Sequence, residues 1–203
     1  MKKIFVVVDY QQDFVDPQGA LPVPNADKIW QNIQDKIDSN DYTDIIYTFD
    51  THTTTDYDNS FEKTLFPNIH CEFGTNGWNL FRITPKNNDK FQNDLKSLKN
   101  ENIPFINLEY TSEKTNEFFF TKNLFDIWQG NNMYADWFTT NFNKDEVIID
   151  IAGVATEFCV KMNIIGLIDR GYKVNILTEC IKSITDEGNT ETTNDLKPFI
   201  NFI

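Results

Sequence analysis

The sequence predicts an α/β fold, a single three-layer αβα domain built on a mostly parallel sheet. Three observations predict it. Short, near-continuous apolar and β-branched runs recur along the chain, which is the pattern of strands covered on both faces. Amphipathic stretches with helical spacing lie between them. The 203 residues, 40% hydrophobic and 14% aromatic, fit one domain with a substantial core, at most with one elaborated loop. Strands alternating with helices imply βαβ units with right-handed crossovers.

The first strand is Ile4–Val8, after Met1, Lys2 and Lys3. The run stops at Asp9, too short for the core of a signal peptide, and no small-residue cleavage site follows. A helix is expected over 26–37, where Ile29, Ile33 and Ile37 stand four residues apart. The second strand is Asp44–Phe49. From Cys71 to Glu117 the chain turns rich in Asn, Lys, Thr and Glu, with one short helical patch near 91–98. This segment is read as a long loop excursion. Phe118–Thr121 is a further strand, and Glu146–Ala152 another. Thr156 to Arg170 then carries Val160, Ile164, Leu167 and Ile168 on one helical face, with Gly171 as the stop. Tyr172–Leu177 is the last strand expected.

Composition excludes several partners. A formal net charge of −13 argues against nucleic acid and anionic membrane surfaces, which need basic patches. No apolar run approaches the roughly 18 residues of a membrane span. The three cysteines, Cys71, Cys159 and Cys180, are odd in number and at no disulfide-framework spacing. The reading is a cytoplasmic protein with reduced thiols and a small-molecule partner; a homo-oligomer is left open.

Ligand sites in such sheets sit at the carboxyl ends of the strands. There the sequence places Asp9, the pair Asp50 and His52, Lys122, and Cys159 in the first turn of a helix. Singly, each has an ordinary explanation. A cysteine is often a small buried hydrophobe, and a strand-end carboxylate is often solvated. Cys159 is distinguished by its place, because a helix N-terminus favours a thiolate. His52 and His70 are the only histidines. Residues two apart on an extended segment share a face, so Asp50 and His52 point the same way. With His70 and Glu62 they form a nitrogen and oxygen set that suits zinc first, with iron or manganese as alternatives.

Taken in order, these strings resemble the isochorismatase-like cysteine hydrolases. Asp9, Gln11, Asp13 and Phe14 are similar to that family's Asp-x-Gln-x-Asp-Phe signature, and Gly19-Ala20-Leu21-Pro22-Val23 to the segment after it. Gly153 to Val160 resembles the nucleophile motif, with Glu157 where the family usually has aspartate. The resemblance implies a Rossmann-like sheet and a catalytic triad: Cys159 as nucleophile, Asp9 as base and acid, Lys122 as the orienting cation. Lys122 is preferred to Lys114 because Phe125, Asp126 and Trp128 follow it in the family's pattern. The resemblance also implies a cis bond between Val154 and Ala155, and an oxyanion hole from the backbone N–H groups of Ala155 and Cys159. Asp50, His52 and His70 match the metal ligands of the family's nicotinamidase and pyrazinamidase branch. Ser60 to Pro67 resembles the segment carrying a fourth carboxylate, Glu62, and a pocket aromatic, Phe66. Phe14, Phe66 and Phe125 would then sandwich a ring. What the resemblance implies is hydrolysis of nicotinamide, or also pyrazinamide, to the acid and ammonia through a thioester; the alternative is another amide or carbamoyl hydrolase of the superfamily. One departure is the 52 positions between His70 and Lys122, a longer stretch than the pattern leads one to expect.

Overall fold

The computed structural model describes Met1–Ile203 and opens with the expected buried strand, β1 (Lys2–Val8). There follow α1 (Gln12–Val15), α2 (Trp30–Asp38), β2 (Asp44–Asp50), α3 (Thr54–Asp58), α4 (Glu62–Leu65), α5 (Asn88–Glu101), β3 (Asn107–Tyr110) and β4 (Asn116–Lys122). The second half comprises α6 (Ile127–Gly130), α7 (Tyr134–Asn141), β5 (Val147–Val154), α8 (Lys161–Asp169), β6 (Val174–Lys182), α9 (Asp186–Leu196) and β7 (Asn201–Phe202).

The seven strands form one sheet in the order β3-β4-β2-β1-β5-β6-β7. All neighbours are parallel except β3, which runs antiparallel on β4. The chain lays β2 and β4 on one side of β1, then crosses back to lay β5 and β6 on the other. The order therefore reverses at β1, the position where such sheets open a crevice for ligands.

Both faces are covered. Along β1, Phe5 and Val7 enter one core with Ile33 and Ile37 of α2 and Phe91 and Leu95 of α5. Ile4, Val6 and Val8 enter the other, with Phe138 of α7 and Ile164 and Leu167 of α8. This is why the strand runs read as continuously apolar rather than alternating.

The structure departs from the sequence reading in several places. The helix expected over 26–37 is broken, with a 3₁₀ turn at Ala26–Lys28 before α2. The one expected over 156–170 begins as a single π turn, Thr156–Val160, before α8. The 71–117 segment is not all loop: it builds the 14-residue α5, ended by Asn102 in the left-handed conformation, and then the edge strand β3. The long spacing between His70 and Lys122 is thus spent on a helix that covers one face of the sheet and a strand that shields the edge of β4.

Candidate active site and metal centre

Four strand ends bring the predicted residues together. Asp9 follows β1, Asp50 closes β2, Lys122 closes β4, and Val154 closes β5. Asp50 and Lys122 are direct register partners, so two residues 72 positions apart meet by strand pairing alone. Asp9 has a positive φ of 47°, a left-handed conformation unfavourable for a residue with a Cβ, which turns its carboxylate back over the sheet edge. Gly153, at φ 117°, lies so close to Val8 that any Cβ would collide with the Val8 backbone. Val154–Ala155 is a cis peptide.

Two signature residues act as struts. The Gln11 amide donates to the carbonyls of Asp50 and Trp78, both at 2.9 Å, and accepts from the Asp50 N–H at 2.8 Å. Asp13 Oδ2 accepts from the Cys71 N–H at 2.7 Å, fixing the backbone beside His70.

At the first constellation, the Lys122 ammonium lies 2.8 Å from Asp9 Oδ2, 3.0 Å from Asp50 Oδ1 and 3.5 Å from Cys159 Sγ. None of these residues is more than 5% exposed. Burial alone would strip Lys122 of its proton, but the Asp50 and Asp9 carboxylates outweigh it and hold its pKa well above the usual value. Burial pushes the Cys159 thiol up, and the Lys122 charge offsets this only in part. The thiol therefore stays protonated until a neighbouring base takes the proton. Asp9 Oδ1 accepts from Thr48 Oγ1 at 2.6 Å, while Oδ2 has no aligned hydrogen bond and only the ion pair. Lys114 is exposed and outside this group.

At the second, Asp50, His52, Glu62 and His70 are all buried and offer ligand atoms within 4.8 Å of one another. His52 Nε2 is 3.0 Å from Asp50 Oδ2 and 3.5 Å from Glu62 Oε2; His70 Nε2 is 3.4 Å from Asp50 Oδ2 and 3.1 Å from Glu62 Oε1. Despite these distances, Asp50 Oδ2, His52 Nε2 and Glu62 Oε2 have no hydrogen-bond partner. Buried polar atoms in that state are costly, and here they converge on one point. Charge gives the same answer. Three buried carboxylates, Asp9, Asp50 and Glu62, face the single Lys122 ammonium, an excess of two negative charges. Without a cation the imidazoles take up protons: burial lowers the His70 pKa, but the adjacent Asp50 and Glu62 carboxylates overcome it and push it up to about 10. His52 is likewise raised, its burial outweighed by Asp50. A divalent cation answers both the orphaned atoms and the excess charge, so the four residues fit a metal site.

Sequence reasoning missed the residues behind these ligands. His52 Nδ1 lies 3.3 Å from Asp56 Oδ1. His70 Nδ1 lies 3.3 Å from the Tyr57 hydroxyl and 3.2 Å from the Asn68 carbonyl. Such outer partners set imidazole orientation and tautomer. The signal for Asp56 was in the string: Thr53 and Asp56 form a capping box at the start of α3. Tyr57 gave no such signal.

Both constellations open into one pocket. Glu62 and Cys159 line it together with Phe14, Phe66, Phe125, Phe158, Ala155 and the aliphatic side chains of Leu21, Val23 and Ile184. The three expected aromatics are thus all present, and Phe158 joins them. Phe66, Phe125 and Phe158 meet edge to face or tilted, with centroids 5.3 to 6.3 Å apart. They leave a cavity of only about 20 Å³, room for one water. A larger groove of about 560 Å³ lies on the far side of Ile184, but none of the candidate residues reaches it.

Fold and site define a class, a mostly parallel α/β scaffold with a buried cysteine and a cluster of four candidate metal ligands on one sheet edge. The isochorismatase domain family model matches residues 106–203. The chain is 26% identical to a nicotinamidase of Saccharomyces cerevisiae, covering 91% of this chain and 90% of the yeast protein. Its fold matches that of Pyrococcus horikoshii pyrazinamidase in complex with zinc, at 23% identity and TM-score 0.71, over 100% of this chain and 99% of the other. It also matches an L. infantum protein in complex with nicotinate, at 16% identity and TM-score 0.72, over 100% and 92%.

Proposed function

We propose that this protein is a metal-containing cysteine amidohydrolase, a nicotinamidase that converts nicotinamide to nicotinate and ammonia. The observation that carries the reading is the single pocket onto which both Glu62 of the four-ligand cluster and Cys159 of the triad open. Only a ligand with a metal-binding atom at one end and an electrophilic carbon at the other uses both, and a pyridine carboxamide has this form. The yeast relative, and the zinc and nicotinate complexes of the two fold neighbours, support the same reading.

A divalent ion held by Asp50, His52, Glu62 and His70, zinc first among the metals such ligands suit, would supply the point that fixes the ring nitrogen. Phe14, Phe66 and Phe125 hold the ring by stacking and apolar contact. Asp9 Oδ2 takes the Cys159 proton, and Lys122 stabilises the thiolate as it forms. The sulfur adds to the carboxamide carbon while the N–H groups of Ala155 and Cys159 receive the developing oxyanion, an effect commonly worth about 3 kcal/mol. Asp9 returns its proton to the departing nitrogen, and ammonia leaves as the thioester forms. Water, deprotonated by Asp9, then hydrolyses the thioester and restores the thiol. A free thiol at Cys159 suits the reducing cytoplasm.

Ammonia release from a panel of amides tests the reading. Nicotinamide is expected to be the best substrate, pyrazinamide to be accepted, and benzamide, which lacks the ring nitrogen, to be poorer by about 100-fold or more in kcat/KM. Faster release from acyclic carbamoyl compounds would move the protein to the alternative branch of the family.

A further inference from the structure

The π turn that carries Cys159 also carries a carboxylate that neither constellation uses. Glu157 Oε1 accepts from the backbone N–H groups of Ile184 and Thr185, at 2.9 and 3.0 Å. These residues lie between β6 and α9. Thr185 in turn caps α9, its hydroxyl accepting from the Gly188 N–H at 2.9 Å. Gly188 packs so tightly that a Cβ there would stand 2.8 Å from Glu157 Oε1. One carboxylate oxygen thereby ties the nucleophile turn to a segment 27 residues further on. The Ile184 side chain forms part of the pocket wall facing Cys159.

We infer that Glu157 is a positioning residue that builds the substrate-facing wall: by holding the Ile184 and Thr185 amides it keeps Ile184 against the ring-binding pocket. The inference rests on the amidohydrolase reading of that pocket. Glu157 makes no hydrogen bond or ion pair with Asp9, Lys122 or Asp50, whose positions are set by β1, β4 and β2. Its loss therefore weakens capture of the ring without disarming the thiol. A carboxylate accepting two backbone N–H groups contributes charge-assisted hydrogen bonds, and the neutral amide of glutamine retains an acceptor oxygen at the same reach.

The test compares wild type with Glu157→Ala, Glu157→Gln and Ile184→Ala, and with the Glu157→Ala/Ile184→Ala double variant. It reads kcat and KM for nicotinamide, and deuterium exchange in the 183–188 segment. Glu157→Ala is expected to raise KM about tenfold, the loss of one or two such bonds, with kcat within about threefold of wild type. Exchange at 183–188 should accelerate, and Glu157→Gln should restore both readouts for the most part. Ile184→Ala should raise KM similarly, and the double variant should add little to either. An unchanged KM in Glu157→Ala, or a fall in kcat as large as the rise in KM, overturns the inference. If wild-type protein releases no ammonia from nicotinamide, the functional reading fails by itself. The exchange comparison then still decides the tether: equal exchange in Glu157→Ala and wild type removes it, and faster exchange that glutamine reverses sustains it.

Discussion

The two oxygens of Asp50 look onto neighbourhoods that differ in completeness. On the Oδ1 side stands Lys122, already shared with Asp9 and close to Cys159. There the Asp9 and Asp50 carboxylates share the one Lys122 ammonium that the chain supplies. On the Oδ2 side stand His52, His70 and Glu62, close together but with orphaned atoms and no cation among them. The first corner is finished by the polypeptide, whereas the second is a set of ligands that a cation completes. Asp50 belongs to both and joins them, Oδ1 beside Lys122 and Oδ2 beside the two imidazoles. Damage to the first corner should destroy chemistry, and damage to the second should cost metal and substrate placement.

The largest effect is expected at the nucleophile. Cys159→Ala should lower turnover by about 10⁴-fold or more, while the protein binds metal in the same stoichiometry by elemental analysis. If metal were lost as well, the two corners would not be separable as described.

Next comes the buried cation. Lys122→Met leaves the Asp9 and Asp50 carboxylates buried without their partner. Removing one member of a buried ion pair typically costs about 3–5 kcal/mol of stability, to be read from urea unfolding of the metal-free protein. A loss below about 1 kcal/mol, the range of exposed pairs, would show that the corner is less enclosed than its geometry indicates.

The smallest effect sharpens the second corner. Asp56→Ala removes the carboxylate behind His52 Nδ1, and such outer partners typically hold about 10–100-fold in metal affinity. Competition with a chelator measures this. The rate at which iodoacetamide alkylates Cys159 should be unchanged, since Asp56 is no part of the Lys122 group.

Much of this site was legible in the string because it rests on strand ends. Asp9, Asp50 and Lys122 each close an apolar run, and parallel pairing brings such ends to one edge whatever the loops do. Cys159 was legible from the motif around it, and Asp50 with His52 from period-two geometry. What was not legible depends on distant packing. Nothing in its composition marks 88–101 as a full helix, since only Phe91 and Leu95 are buried and the rest is polar. For α9 the case is harder still, because it buries only Thr192 and Leu196. The contact of Glu157 with Ile184, and that of Tyr57 with His70, arises only once those segments are in place.

If one pocket is served by both corners of Asp50, ammonia release from nicotinamide should change with the metal: it is measured before chelation, after it, and after zinc is restored. The chelated protein is expected to keep a titratable Cys159 thiol, to lose about 100-fold or more in kcat/KM, and to regain it with zinc. Undiminished turnover in protein shown to be metal-free would contradict a role for both corners.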